Sequence, residues 1–226
     1  MTSPLISRLR KRLIVSSQAM NPKSPLKRPD ILALMAEAAE LGGAGGFRVD
    51  GVDVVRLLRL KTALPIIGIA KDAREGFDNY ITTTVADVEA LAAAGADIIA
   101  IQTTEGTRPA ETFAELATAA HRAGKLVMAD IATAAEARRA VEEGADLVAT
   151  TMVGHTNQTT GQLRPPLQLV AQLIDGLEVP VIVEGGIWTP EHVSASFAAG
   201  AYAVVCGSAI TAPDIITRRL VSAIPD

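Results

Sequence analysis

AAAGADIIAI (92–101), VEEGADLVAT (141–150) and FAAGAYAVVC (197–206) align without gaps. Each reads as the end of a helix, then a glycine, then an aliphatic run rich in β-branched residues. The glycine of each copy (Gly95, Gly144, Gly200) can take the left-handed conformation that ends a helix and turns the chain into a strand. Recurrence of one such turn predicts a repeated helix–strand unit of common handedness. Across the chain eight short apolar runs read as strands: Leu13–Ser17, Gly46–Val49, Ile66–Ala70, Asp97–Ile101, Leu126–Ile131, Leu147–Thr151, Val181–Glu184 and Ala203–Cys206. Stretches of helical period separate them. Pro29-Asp30 opens one that continues through Leu32, Met35, Ala36 and Ala39, and Thr189 before Pro190 supplies an N-cap for another. The pattern predicts an α/β fold, a single-domain (β/α)8 TIM barrel over residues 1–226, with 1–12 as an N-terminal extension or helix. An open doubly wound sheet would carry a glycine-rich turn after its first strand. The first strand here runs into SSQAM (16–20), without glycine.

Composition agrees. The chain is 49% hydrophobic but only 3% aromatic, so its core is aliphatic, as in parallel sheets covered by helices. With a net charge of −4, no basic stripe and no interleaved aromatics, nucleic acid is not an expected partner. The opening MTSPLISRLRKRLIV is basic, but Arg8, Arg10, Lys11 and Arg12 interrupt any signal-peptide core. A helix beneath the barrel floor is the reading preferred for it. No apolar run approaches the roughly 20 residues of a membrane span, so no membrane partner is expected. The lone Cys206 fits a cytoplasmic, reducing location.

Four runs carry a reactive side chain at or one short of their ends: GGFRV has Arg48, PIIGIAK has Lys71, KLVMAD has Asp130 and VPVIVE has Glu184. In a closed barrel all strand C-termini meet at one face, which carries the active site. A lysine at an apolar strand mouth loses hydration and its pKa falls, which suits a base or a Schiff-base nucleophile; the plainer alternative is a solvated lysine opening the polar loop KDARE. Glu184, half-way round the barrel, pairs with Lys71 as acid and base. Arg48 is read as an oxyanion clamp, against the alternative of an ion pair with Asp50. Asp130 is read as a sugar-hydroxyl ligand or as a group that orients Lys71, against the alternative of capping the helix near Thr133. Gln18, Thr150, Thr151, Thr156 and His155 add polar groups at the same face. The turns after strands seven and eight, VEGGIWTPE and VVCGSAIT, place Gly185, Gly186, Gly207 and Ser208 where such barrels bind phosphate. The histidines show no metal spacing, and no Walker loop or GxGxxG follows a strand. No metal and no cofactor are expected.

LIVSSQA, GGAGGFRVDGV, LPIIGIAKD, AGADIIAIQTT, MADIAT, ATTMVGHT, VIVEGG and GAYAVVCGSAIT, in this order from about Leu13 to Ala223, resemble the N-acetylmannosamine-6-phosphate 2-epimerases. The resemblance implies a barrel of the ribulose-phosphate-binding type. It also implies a cofactor-independent isomerase of bacterial sialic-acid catabolism, acting on an amino-sugar phosphate, with a homodimer allowed. By position it assigns proton transfer at C2 to Lys71 and the partner acid to Glu184. Gln18, Arg48 and Asp130 are implied at the sugar, and Gly186, Gly207 and Ser208 at the phosphate. Four positions depart from the family pattern. Gly186 stands where arginine or lysine is usual, Ala212 where an arginine is usual, Gln102 for an aspartate and His155 for a tyrosine. Gln102 and His155 are read as altered substrate contacts, with Arg164, Arg108 and Arg218 as candidate replacement cations. The rival readings are an aldolase or decarboxylase using Lys71 as nucleophile, and a non-catalytic sugar-phosphate-binding barrel.

Overall fold

A computed structural model describes residues 3–225. Eight parallel strands close into a barrel in chain order, with the last bonded back to the first. They are β1 (Leu13–Ser17), β2 (Gly46–Asp50), β3 (Ile66–Ile69), β4 (Ile98–Gln102), β5 (Leu126–Asp130), β6 (Leu147–Ala149), β7 (Val181–Glu184) and β8 (Ala203–Cys206). Helix α1 (Pro4–Leu9) precedes the barrel. The others wrap it: α2 (Pro29–Leu41), α3 (Val52–Arg59), α4 (Val85–Ala94), α5 (Phe113–Arg122), α6 (Ala134–Glu142), α7 (Leu167–Gly176), α8 (Pro190–Ala198), α9 (Ser208–Thr211) and α10 (Pro213–Val221). All eight expected strands form, with ends shifted by a residue or two. The largest shift is in β6, which stops at Ala149 because Thr150–Met152 tighten into a 3-10 turn.

Period-two alternation divides the apolar residues into two cores. Phe47, Val49, Ile99, Ile101 and Val127 point outward and pack under the helices. Ile14, Ile67, Ile69, Ile98, Met128, Leu147 and Ile182 point inward and fill the lumen. Each large aliphatic side chain so buried contributes about 1.5–3 kcal/mol. Ile6 and Leu9 of α1, 5% and 1% exposed, join the inward set. Helix α1 therefore closes the floor. The barrel is a packed core open for chemistry only at the upper, C-terminal end.

The repeated glycines act as expected. Gly95, Gly144 and Gly200 have φ of 104°, 108° and 100°, so they end α4, α6 and α8 in conformations that side chains resist. Threonines start the helices: Thr84, Thr133 and Thr189 each accept a backbone N–H of the first turn. Thr133 is thus the cap of α6, which leaves Asp130 free for another role.

Candidate active site

The alternation that fills the lumen continues upward one step into polar residues. Above inward-facing Gly46, Met128 and Ile182 come Arg48, Asp130 and Glu184. Arg48 and Asp130 form a two-pronged pair, with Nη1–Oδ1 at 2.9 Å and Nη2–Oδ2 at 2.6 Å. Their side chains are 1% and 0% exposed. Arg48 Nη1 also lies 3.1 Å from Glu184 Oε2. The Thr151 hydroxyl donates to Asp130 Oδ1 at 2.7 Å and reaches Glu184 Oε2 at 3.1 Å. One oxygen of Glu184 is therefore fixed from two sides, while Oε1 makes no hydrogen bond among the described residues. Thr150 locks the backbone below it, donating to the Glu184 carbonyl at 3.0 Å and accepting the Glu184 N–H at 3.1 Å.

Lys71 is not a solvated loop lysine. The β3–α4 segment folds back over it: Lys71 bridges Ile81, Asp72 N–H donates to the Tyr80 carbonyl, and Thr82 N–H donates to the Ala70 carbonyl at 2.7 Å. Thr82, β-branched and fully buried, holds φ at 51° to make this return, a strained conformation that clusters at functional sites. Asp50 Oδ1 accepts the Lys71 backbone N–H at 3.0 Å. The ammonium donates to Gln18 Oε1 at 2.6 Å, and Gln18 Nε2 donates to Ser16 Oγ at 2.8 Å.

Burial sets the charges. It pushes the Lys71 ammonium below the usual lysine range, although Asp50 works in the opposite sense. It pushes Glu184 above the usual carboxylate range, against the pull of Arg48. It also lowers His155, assisted by Arg164 and Lys71. Burial opposes the charge of Arg48 too, but Asp130 and Glu184 outweigh it and raise its pKa overall. Such opposed displacement of two titratable groups facing one cavity is what acid–base chemistry near neutral pH requires.

These groups border one cavity of about 430 Å³, large enough for a sugar phosphate. Of the residues expected from sequence, it brings together Gln18, Arg48, Lys71, Thr151, His155, Glu184, Gly185, Gly186, Gly207 and Ser208. Gly185 and Gly186 turn with φ of 104° and 76°, and Gly207 precedes α9, whose first amides lack helical acceptors. Thr211 of α9 donates to the Ser16 carbonyl at 2.7 Å, tying this turn to β1.

The family model described as "Putative N-acetylmannosamine-6-phosphate epimerase" matches residues 32–226. The chain belongs to this family. Two relatives bear the name "Putative N-acetylmannosamine-6-phosphate 2-epimerase". That of Caldanaerobacter subterraneus subsp. tengcongensis is 41% identical over 100% of this chain and 96% of its own length. That of Clostridioides difficile is 41% identical over 97% and 99%. The solved structure of the N-acetylmannosamine-6-phosphate 2-epimerase from Clostridium perfringens superimposes with a TM-score of 0.94 at 36% identity, covering 99% of this chain and 98% of that one.

Within this family frame, three sequence readings need correction. Gln102 does not border the cavity. It is 1% exposed, accepts the Tyr80 N–H at 3.0 Å, and donates to the Asp78 carbonyl at 3.1 Å and Thr104 Oγ1 at 2.7 Å. It holds the loop that carries Tyr80, which does border the cavity. Asp130 lies one layer below the cavity as the counter-ion of Arg48, and Asp50, the alternative partner for Arg48, serves Lys71 instead. Thr156 does not border the cavity, and its hydroxyl pairs with that of Thr159 at 2.7 Å. Ser16, Tyr80 and Asp50 went unnamed as site residues. Inward alternation from Ile14 to Ser16, and from Arg48 to Asp50, was the signal that could have found two of them. Tyr80 sits in an irregular loop, where no periodicity applies.

Proposed function

We propose that Lys71 and Glu184 move the C2 proton of an N-acetylhexosamine 6-phosphate, interconverting the manno and gluco epimers. The protein is a carbohydrate epimerase, and its substrate is an amino-sugar phosphate of sialic-acid catabolism. The C2–H bond becomes acidic once C1 is an open-chain aldehyde. Neutral Lys71 takes the C2 proton, and the electron pair moves into an enolate. Arg48 borders the cavity but is committed to Asp130 and Glu184, so it holds the Glu184 carboxyl group in place beside the sugar. Return of a proton to the opposite face of C2 completes inversion, and Glu184 Oε1 is the acid positioned for proton exchange with the sugar oxygens or C2. Nothing is oxidised or reduced. The observation that carries this reading is a desolvated lysine and a desolvated glutamate facing one cavity from opposite strands, beside glycine turns suited to phosphate.

Incubation with N-acetylmannosamine 6-phosphate in D₂O tests it by proton NMR. The gluco epimer should appear with deuterium at C2. Neither epimer nor exchange, in folded protein, would count against the reading. Borohydride trapping separates the lyase alternative, because only an imine on Lys71 would be captured.

We also place the protein in the reducing cytosol, on the strength of its single buried Cys206; no helix among the described residues is long and apolar enough to cross a membrane. A homodimer is the assembly we favour. Helix α10 buries none of its own residues; its Leu220 and Val221 are 67% and 55% exposed and Ile224 just beyond it 68%, an apolar face suited to a second copy. Light scattering at micromolar concentration measures the mass directly; a monomer would remove the assignment.

A further inference from the structure

We infer that Arg164 is the cation that grips the substrate's phosphate at the rim of the cavity and thereby sets its preference for a phosphorylated sugar; the inference rests on the amino-sugar-phosphate reading above. Three cations border the cavity: Arg48, Lys71 and Arg164. Arg48 is spent on Asp130 and Glu184. Lys71 lies beside Asp50 and serves as base. Arg164 has no carboxylate within 4.0 Å among the described residues. It is the cavity's uncompensated positive charge.

Its placement is built, not incidental. The Arg164 backbone crosses the Gly185–Gly186 turn so closely that a Cβ at Gly186 would lie 2.4 Å from Arg164 Cβ and 2.5 Å from its carbonyl carbon. The side chain then runs over two more glycines. A Cβ at Gly185 would meet Arg164 Cδ at 3.6 Å, and one at Gly154 would meet Nε at 3.3 Å. A side chain at Gly186 would evict this path altogether, so the missing charge at 186 and the present charge at 164 are two sides of one arrangement.

His155 orients the fork without cancelling it. Arg164 Nη1 lies 2.8 Å from His155 Nε2. Arginine has donors only, so Nε2 accepts and the ring is neutral with its proton on Nδ1. A carboxylate in this place would neutralise the guanidinium; a neutral imidazole fixes its plane and leaves its other N–H groups for an oxyanion. A planar fork of this kind matches phosphate two-pronged. The other candidate cations do not compete. Arg108 Nη1 is committed to Asn79 Oδ1 at 2.9 Å and the Gln102 carbonyl at 2.5 Å, and Arg218 does not border the cavity.

The test compares wild type, Arg164→Ala and Arg164→Lys by steady-state kinetics on N-acetylmannosamine 6-phosphate and by calorimetric titration with inorganic phosphate. In Arg164→Ala, KM and the phosphate Kd should both rise on the order of tenfold to a hundredfold, while kcat falls far less. Arg164→Lys should recover part of the loss, since a point charge replaces a fork. Unchanged KM and phosphate Kd, or a fall in kcat with KM intact, overturns the assignment. Failure of the wild type to turn over the sugar would sink the functional reading instead, and the phosphate titration would still judge Arg164.

Discussion

Arg48 and Asp130 are buried charges whose importance lies in what either leaves behind when the other is removed. A buried ion pair adds little net stability against a hydrophobic replacement, but breaking it strands a charge at a cost of about 3–5 kcal/mol. Asp130→Asn should therefore lower unfolding free energy by about that amount. Urea denaturation measures it, and a loss below ~1 kcal/mol would show that Glu184 alone suffices as counter-ion. Lys71→Ala should leave the fold intact by circular dichroism. Its kcat/KM should drop by about 10²–10⁴-fold, the range of a lost general base; wild-type turnover in this variant removes Lys71 from the mechanism. The pH profile follows from the directions of shift. With both groups protonated there is no base, so the rate rises with pH as the pair loses its first proton, which Glu184's burial places above the usual carboxylate range. With both deprotonated there is no acid, so the rate falls as the second proton leaves, which Lys71's burial places below the usual lysine range. The pair shares these two macroscopic values whichever group holds the single proton. A profile with limbs near ~4 and ~10 would mean that both groups are solvated.

At the scale of the element, the helix-ending glycines are separable by what surrounds them. Gly144 has φ of 108°, yet an added Cβ would meet only ordinary contacts, the nearest at 3.6 Å from His121. Gly144→Ala should cost about 1–2 kcal/mol, the strain of the left-handed conformation alone. At Gly95 the Cβ would also lie 2.7 Å from Arg59 Cγ. That arginine is held by Asp97 at 2.8 Å and by the Thr62 and Leu64 carbonyls, so it yields less freely than a loose surface chain. Gly95→Ala should consequently destabilise more than Gly144→Ala. Equal denaturation midpoints would show that Arg59 moves aside at no cost.

At the scale of the molecule, the lumen is sealed below by α1 and open above at the site. Leu9→Ala should cost about 2–5 kcal/mol, as large-to-small changes in packed cores do, while KM stays unchanged because the cavity lies at the other end. A fall in activity without a fall in stability would contradict this division. The barrel was legible from the chain alone, because strand alternation, helix period and left-handed glycines are local properties written into neighbouring residues. So were Lys71, Glu184, Arg48 and Gln18 as wall residues, since their place at strand ends puts them at the upper face whatever the details. It takes the folded chain to show that Asp130 answers Arg48 rather than capping a helix, that Gln102 turns to the Tyr80 loop, and that Arg164 lies over three glycines of two turns. Those are contacts between side chains up to 82 residues apart, and which partner a buried charge or amide takes depends on distances that strand order and register create.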